Sequence, residues 1–231
     1  IAAVIGGGKA NYAKNQQTFI GAGSTNKTCG NESTTVSGYK NTTCQNMSGI
    51  LSGEDNCAFS DRGIVVGGCK NSATGTYQTG EQFIGGGAHN LLAQGTYRSV
   101  IVGGSRNTGS AGADCSVIAG GADNTSAGFT SVIGGGSLNV ITSAATGSTI
   151  SGGSGSLASG KMSTIAGGIH NTASGTCSVV GGGEGNNTSG NFGATIAGGK
   201  GNTASNNYST IAGGGTNTSS GNSSTKSSKA F

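Results

Sequence analysis

Residues 163–177 read Ser163-Thr164-Ile165-Ala166-Gly167-Gly168-Ile169-His170-Asn171-Thr172-Ala173-Ser174-Gly175-Thr176-Cys177 and are the clearest copy of a unit that recurs along the whole chain. In each copy an aliphatic residue precedes a small-Gly or small-small pair. The aliphatic positions lie 15 to 18 residues apart and are Ile5, Ile20, Val36, Leu51, Val66, Ile84, Ile101, Ile118, Ile133, Ile150, Ile165, Val180, Ile196 and Ile211. A unit of this length is too short for a helical hairpin or a propeller blade, so it predicts a solenoid with one coil per copy.

An Asn follows the aliphatic residue by six positions, or by five in three copies. It is present in thirteen copies, as Asn11, Asn26, Asn41, Asn56, Asn71, Asn90, Asn107, Asn124, Asn139, Asn171, Asn186, Asn202 and Asn217, and the remaining copy has Ser156. Stacked Asn side chains can hydrogen-bond to their own type in neighbouring coils and can also satisfy backbone groups of the turn. Asn is also a common turn residue for purely local reasons. Its persistence while the rest of the turn varies favours a structural ladder.

Each copy alternates in the manner of a strand, with Ser163, Ile165 and Gly167 inward and Thr164 and Ala166 outward. Glycines then mark a turn, and a second short strand begins at the Asn. The predicted fold class is all-β: a single parallel β-solenoid (β-roll or β-helix) of about 14 coils, with 15–18 residues and two short strands per coil and an internal Asn ladder. We expect residues 1–218 to form this domain and 219–231 to form a Ser/Thr/Asn-rich tail or a degenerate final coil. Extra residues are expected only after the Asn, the largest insertion lying near 74–82.

The composition excludes several classes of protein. The chain has 49 Gly, no Pro and no Trp, without Gly at every third residue, which excludes collagen. Its net charge of +4 comes from scattered Lys and Arg, so nucleic-acid binding is not expected. Neither a membrane-spanning apolar run nor a signal peptide is visible, and membrane insertion is not expected. Six Cys and ten Asn-x-Ser/Thr sequons favour an extracellular or cell-surface location.

No combination of residues indicates a catalytic, cofactor-binding or metal-binding site. His89 and His170 occupy the same turn position in coils far apart, and the acidic residues form no pair suited to acid–base chemistry. The Gly-Gly-Gly segments lack the Lys-Ser/Thr of a phosphate loop. We therefore expect neither enzymatic activity nor a cofactor.

The unit S-[VT]-I-[AG]-G-G-x-x-N-T-[AS]-S-G, as at 163–175 and 209–221, resembles the head repeats of YadA-like trimeric autotransporter adhesins and of related bacterial and phage fibre proteins. Members of that class build a left-handed parallel β-roll. The resemblance implies an extracellular structural or adhesive rod, and neither a neck nor a heptad stalk or membrane anchor accompanies it here.

A weaker resemblance, carried by Asn171-Thr172-Ala173-Ser174-Gly175, is to the β-solenoid ice-binding proteins of plants and insects. It implies a flat face of regularly spaced Thr or Val. The residues preceding the aliphatic positions are largely β-branched, and a second face would carry Thr172, Ser174, Thr203, Ser205, Thr218 and Ser220. Strands prefer β-branched residues in any case.

Two kinds of covalent modification follow from the repeat positions. Cys29 and Cys44 both lie three residues after a ladder Asn in consecutive coils, which predicts a disulfide, and Cys57 and Cys69 are a second candidate pair. Cys115 and Cys177 share a position but are too many coils apart to bond. Candidate glycosylation sites are the sequon residues five positions after a ladder Asn: Asn31, Asn46, Asn207 and Asn222.

The sequence therefore predicts an extracellular structural or adhesive rod that is a subunit or segment of a fibre. Its expected partners are further copies of itself, joined head to tail through the solenoid ends, and attached glycans. The alternative is an ice-binding solenoid that uses a flat Thr/Val/Ser face.

Overall fold

A computed structural model describes residues 2–75 and 80–226. It is an all-β solenoid of about 15 turns with two strands per coil and no helix in the described residues, which confirms the predicted fold class. The chain divides into two compact units, residues 1–121 and 122–231. Part of the predicted insertion at 74–82 and the last five residues of the predicted tail lie outside the described residues.

The described residues of unit 1 form fifteen two-residue strands. They are β1 (Val4–Ile5), β2 (Tyr12–Ala13), β3 (Phe19–Ile20), β4 (Lys27–Thr28), β5 (Thr34–Thr35), β6 (Thr42–Thr43), β7 (Gly49–Ile50), β8 (Cys57–Ala58), β9 (Ile64–Val65), β10 (Ser72–Ala73), β11 (Phe83–Ile84), β12 (Leu91–Leu92), β13 (Val100–Ile101), β14 (Thr108–Gly109) and β15 (Val117–Ile118). The odd-numbered strands form one parallel sheet in chain order, and the even-numbered strands form the other.

Unit 2 repeats this arrangement. Its strands are β16 (Thr125–Ser126), β17 (Val132–Ile133), β18 (Val140–Ile141), β19 (Thr149–Ile150), β20 (Leu157–Ala158), β21 (Thr164–Ile165), β22 (Thr172–Ala173), β23 (Val179–Val180), β24 (Asn187–Thr188), β25 (Thr195–Ile196), β26 (Thr203–Ala204), β27 (Thr210–Ile211), β28 (Thr218–Ser219) and β29 (Thr225–Lys226). Odd-numbered and even-numbered strands again lie in separate parallel sheets. Residues 218–226 thus add two strands, and Lys226 pairs with Ile211 in the aliphatic register.

Three of the predicted inward positions are wrong by one residue. The strand pairs align Ile20 with Thr35, Thr35 with Ile50, and Ile50 with Val65. The predicted residues Val36, Leu51 and Val66 instead point outward, and Val36 and Leu51 are more than 40% exposed. The corrected spacing from inward residue to Asn is six in every coil, and the interval from Val65 to Ile84 becomes 19 residues rather than the predicted maximum of 18.

The core is narrow because a large residue on one sheet faces a small residue on the other. Fully buried Ile or Val occupies most second positions of the odd-numbered strands, as in Ile84 and Ile165. Ala, Thr or Ser occupies most second positions of the even-numbered strands, as in Ala73 and Ala173. Side chains of this size bury little apolar area per coil, at roughly 2–3 kcal/mol for each buried Ile. Hydrogen bonds between coils must therefore contribute much of the order.

The first turn of each coil, which joins an odd-numbered strand to the next even-numbered strand, needs two left-handed residues, of which the sequence indicated only one. Gly168 has a φ of +89°, and a Cβ placed on it would lie 2.1 Å from the carbonyl oxygen of Gly183 in the next coil. His170, two residues later, also has a positive φ, of 53°. The position of His170 accepts Ala, Lys, Asp, Arg and Leu in other coils, so residue type gives no signal there.

Candidate functional surfaces

The Asn ladder joins each coil to its neighbours through both ends of the amide. In unit 1, the backbone N–H of Asn56 donates to Oδ1 of Asn41 at 3.1 Å, and Oδ1 of Asn56 accepts from the N–H of Asn71 at 3.0 Å. Nδ2 of Asn56 donates to the carbonyl oxygens of Ser52 in its own coil and Gly68 in the next coil, at 3.3 and 2.9 Å. The predicted ladder is therefore confirmed, with the backbone of the glycine turn as its second partner.

Unit 2 carries the same ladder through its one exception. The N–H of Ser156 donates to Oδ1 of Asn139 at 3.1 Å, and its hydroxyl accepts from the N–H of Asn171 at 3.4 Å. Asn171 in the next coil already restores the amide donors, since its Nδ2 donates to the carbonyl oxygens of Gly167 and Gly183. Ser preserves the coil-to-coil bond but lacks an amide donor for the turn.

The second turn of each coil, which joins an even-numbered strand to the next odd-numbered strand, holds a shorter set of Asn and Asp side chains that the sequence did not identify as structural. Oδ1 of Asn31 accepts from the N–H of Gln16, and Oδ1 of Asn46 accepts from the N–H of Asn31, both at 3.2 Å. Asp61 accepts in the same way from Asn46, at 3.2 Å. In unit 2, Oδ1 of Asn207 accepts from the N–H of Phe192 at 3.0 Å. The signal in the sequence is an Asn or Asp five residues after the ladder Asn.

The predicted glycosylation sites lie in this second turn. Asn31 and Asn222 are exposed, and Asn46 and Asn207 are half-buried. The bonds at Asn31, Asn46 and Asn207 use the amide oxygen, whereas an N-linked glycan is attached at the amide nitrogen. Ladder residues that also fall in sequons, such as Asn41, are fully buried and donate through that nitrogen. Use of the sites stays a prediction.

Cys29 and Cys44 lie in neighbouring coils at the same position, immediately after β4 and β6. Their thiols are free, and burial, followed by the effect of the neighbouring Cys29 thiol, raises the pKa of Cys44 to about 11. The predicted disulfide stays a prediction. Cys57 lies in β8 opposite Thr42, and burial raises its pKa, with a smaller contribution from Asp55. Cys69 lies in the first turn, opposite Glu54 and Ala88.

The outer face of the odd-numbered sheet in unit 1 carries no charged residue in its two outward columns. We call it the apolar face, and it comprises Val4, Phe19, Val36, Leu51, Ile64, Val66, Phe83, Val100, Val102 and Val117 together with Gly6, Gly21, Thr34, Gly49, Gly85 and Ala119. Phe19, Val36, Leu51 and Val102 are between 41% and 53% exposed. A contiguous apolar surface of this kind is typical of an interaction site.

In the last four coils of unit 2, from β22 to β28, the outer face of the even-numbered sheet carries small polar residues, most of them with hydroxyl groups. The register aligns Thr172, Asn187, Thr203 and Thr218, one strand spacing apart. Two residues further along are Ser174, Ser189, Ser205 and Ser220. We call these eight residues the hydroxyl face. The six Thr and Ser residues predicted to share a face do share it, with Asn187 and Ser189 between them.

Charged residues lie mainly at the turns. Glu81 in the second turn pairs with Arg62 at 2.7 Å and with Arg98 at 2.8 Å, one in the coil on each side. The hydrogen bond from Arg98 is the largest cause that lowers the pKa of Glu81. All three side chains are substantially exposed to solvent, where such pairs contribute little to stability.

Within the described residues, no group of three or more His, Cys, Asp and Glu side chains is arranged to hold a metal ion. His89 and His170 each occupy a first turn, in units 1 and 2 respectively. The described part of the chain also contains no helix long and apolar enough to cross a bilayer.

No protein-family model matches the chain, and no curated protein matches it. The solenoid itself is common to proteins of unrelated function, so fold alone does not assign a family.

Proposed function

We propose that the chain is a stiff structural element of an extracellular or cell-surface fibre, with an adhesive role for its outer faces. The observation that carries the proposal is the Asn ladder, which repeats one set of bonds from coil to coil within each unit. Sliding or tilting a coil would break the bonds of two neighbouring Asn residues and leave buried amide groups without partners, at about 1–3 kcal/mol each. Resistance to bending is the property that a fibre requires.

The apolar face supports the adhesive part of the proposal. Its side chains are held at one strand spacing by the sheet, about 4.8 Å apart, so they form a preorganised surface rather than a flexible one. Such a face favours apolar or uncharged partner surfaces over ionic ones. A YadA-like adhesin class would account for both the repeat and this surface.

Assembly through the coil ends belongs to the same proposal. Within the described residues β1 pairs with β3 alone, and β29 pairs with β27 alone. An edge strand offers backbone N–H and C=O groups to a further strand. We expect further coils to pair there, from the same chain or from a second copy, and a head-to-tail contact between copies to generate a filament.

Analytical ultracentrifugation and negative-stain electron microscopy of the purified chain test the assembly. The N–H groups of Val4 and Gly6 donate to the carbonyl oxygens of Thr18, just before β3, and of Ile20 in β3, so the N–H of Ile5 faces the open edge. We expect Ile5→Pro to abolish filaments because Pro has no N–H, and the matched variant Ile5→Val to preserve them. A stable monomer in all three proteins would contradict the assembly, and filaments in Ile5→Pro would contradict the role of β1.

The hydroxyl face favours a second candidate function, which is ice binding. Its two columns of small polar residues are uncharged and regularly spaced, with about 6.6 Å between columns along the strand. Thermal hysteresis of a monomeric preparation tests this candidate. We expect Thr203→Lys, on the face, to abolish activity, while Thr216→Lys, in the exposed first turn, leaves it unchanged. Absence of hysteresis in the unmodified chain would exclude ice binding.

A further inference from the structure

The coils that contain Cys29 and Cys44 have the most polar core in unit 1. Inward positions that hold Ile and Ala in most other coils hold Thr28, Thr35 and Thr43 here, all fully buried. The hydroxyl of Thr28 donates to that of Thr35 at 2.9 Å. Oγ1 of Thr43 has no hydrogen-bond partner among the described residues. A buried hydroxyl without a partner is destabilising. Because Thr replaces Ile and Ala, these coils, which carry the two thiols, also lack apolar stabilisation in their core.

Strand register places the two cysteines one coil apart on the outer surface of this segment. Lys27 pairs with Thr42 and Thr28 with Thr43, and the N–H of Cys29 continues the ladder to the carbonyl oxygen of Thr43 at 2.7 Å. Their Cα atoms are therefore about 4.8 Å apart, within the 4.4–6.8 Å range of disulfides. The two cysteine side chains are parallel, so their Cβ atoms keep a similar separation, slightly beyond the 3.5–4.5 Å that is usual in disulfides. A disulfide would therefore require the two Cβ atoms to move slightly closer together, and it would be strained.

Cys57 is the nearest further thiol and lies outside bonding range. Cys57 lies in the coil after that of Cys44 and pairs with Thr42, which precedes Cys44 by two residues. One strand spacing combined with two residues of rise puts its Cα about 8 Å from that of Cys44, beyond the limit of about 7 Å. The pair Cys29–Cys44 is thus distinguished from Cys57 by geometry.

We propose that Cys29 and Cys44 are a redox-sensitive modification site, at which a reversible disulfide between adjacent coils locks the polar core segment. The oxidant is a low-molecular-weight disulfide. The thiolate of one cysteine attacks it, releases one thiol and forms a mixed disulfide; the thiolate of the second cysteine then displaces the other thiol. The two protein protons leave with the two released thiols, and the oxidant's disulfide is reduced as the protein's forms.

Reduction returns the segment to two free thiols, and strain makes the disulfide easier to reduce than an unstrained structural one. Because the pKa of Cys44 is raised to about 11, its thiolate is scarce at neutral pH. The step in which the Cys44 thiolate is the nucleophile should accelerate as the pH rises toward that value. Solenoids unfold locally from coil to coil, so we expect the effect on stability to stay near this segment.

Equilibration of the full chain with reduced and oxidised glutathione tests the site. After quenching by alkylation, peptide mapping without reduction should find Cys29 joined to Cys44 under oxidising buffer and both alkylated under reducing buffer. Cys57→Ser should leave this bond unchanged, whereas Cys44→Ser should leave Cys29 as a stable mixed disulfide with glutathione. Independent mixed disulfides on Cys29 and Cys44 in the unmodified chain, or a bond from either to Cys57, would overturn the proposal.

Hydrogen exchange provides the functional measurement. Oxidation should slow amide exchange in residues 12–45 by at least tenfold and leave unit 2 unchanged. In Thr43→Val, which removes the unpaired hydroxyl, exchange of the reduced segment should already be slower and the gain on oxidation smaller. Equal exchange in oxidised and reduced chains would show that the bond, even if formed, locks nothing.

Discussion

The Asn side chain is the smallest unit at which the fold is specified. An amide has both an acceptor and two donors, and the ladder uses the acceptor to join coils and the donors to hold the glycine turn. Ser156 shows the consequence of removing the donors, since its backbone N–H and its hydroxyl keep only the coil-to-coil bonds to Asn139 and Asn171. The sequence predicted the ladder because one residue type recurred at fixed spacing.

Substitution of one ladder residue should therefore destabilise several groups at once. Asn56→Ala removes the donor to Ser52 and Gly68 and the acceptor for Asn71, all in buried or partly buried contacts. We expect the free energy of unfolding of Asn56→Ala to fall by about 3–5 kcal/mol. Ser156→Asn should act in the opposite direction and stabilise unit 2 by about 1 kcal/mol, since it restores the missing donors. Urea denaturation followed by circular dichroism measures both, and a neutral Asn56→Ala would refute the ladder as a stabilising device.

Adjacent glycines in one turn provide a second test at this scale. Gly87 has a φ of +85°, and a Cβ on it would meet the carbonyl oxygen of Gly104 at 2.0 Å. Gly86 has open space, with nothing within 4 Å of such a Cβ. We expect Gly87→Ala to destabilise by about 3 kcal/mol or more and Gly86→Ala to change stability by less than about 0.5 kcal/mol. Similar melting temperatures for the two variants would mean that coils approach less closely at this turn.

Individual strands were predicted less reliably than the column of Asn residues. Thr35-Val36, Ile50-Leu51 and Val65-Val66 each offer two neighbouring residues of suitable shape, and alternation alone does not decide which one is inward. The spacing of five rather than six to the next Asn marked these three coils as displaced by one residue. The left-handed position of His170 was missed for another reason, since the register of the backbone, not residue type, determines its φ.

The second turn determines which sequons can carry a glycan. In a eukaryotic secretory host we expect glycans on Asn31, Asn46, Asn207 and Asn222, whose turn is accessible. Asn41 and Asn217 should be unmodified in folded material because their amide nitrogens donate within the ladder. Intact-glycopeptide mass spectrometry measures occupancy, and Asn31→Gln should remove one glycan where Asn41→Gln removes none. Sugar on Asn41 in folded protein would contradict its burial.

At the scale of the whole molecule, the repeat makes each coil a separable unit. Every described coil bonds mainly to the coils beside it, so stability is approximately a sum of coil and neighbour terms. Composition alone predicted the folded solenoid poorly, because a chain rich in Gly, Ser, Thr and Asn is also typical of disorder. The spacing of the Ile and Asn residues distinguished the two cases. No comparable pattern of residues identifies a ligand, so the proposed functions are argued from the outer faces and the edge strands.

Removal of one coil should therefore leave the fold intact if, and only if, register is preserved. Ser163 and Ser178 occupy equivalent positions, since Thr164 pairs with Val179. Deletion of residues 163–177 joins Met162 to Ser178, and the next coil can replace the missing one. We expect a folded unit 2 with an unchanged circular dichroism spectrum per residue.

Deletion of residues 163–176, one residue fewer, turns inward residues outward at the junction unless the extra residue is accommodated in a turn. It should lower the melting temperature and speed amide exchange from residue 177 onward. Equal stability of the two deletions would show that the second turn absorbs single-residue changes without cost, as it does in coils with longer insertions.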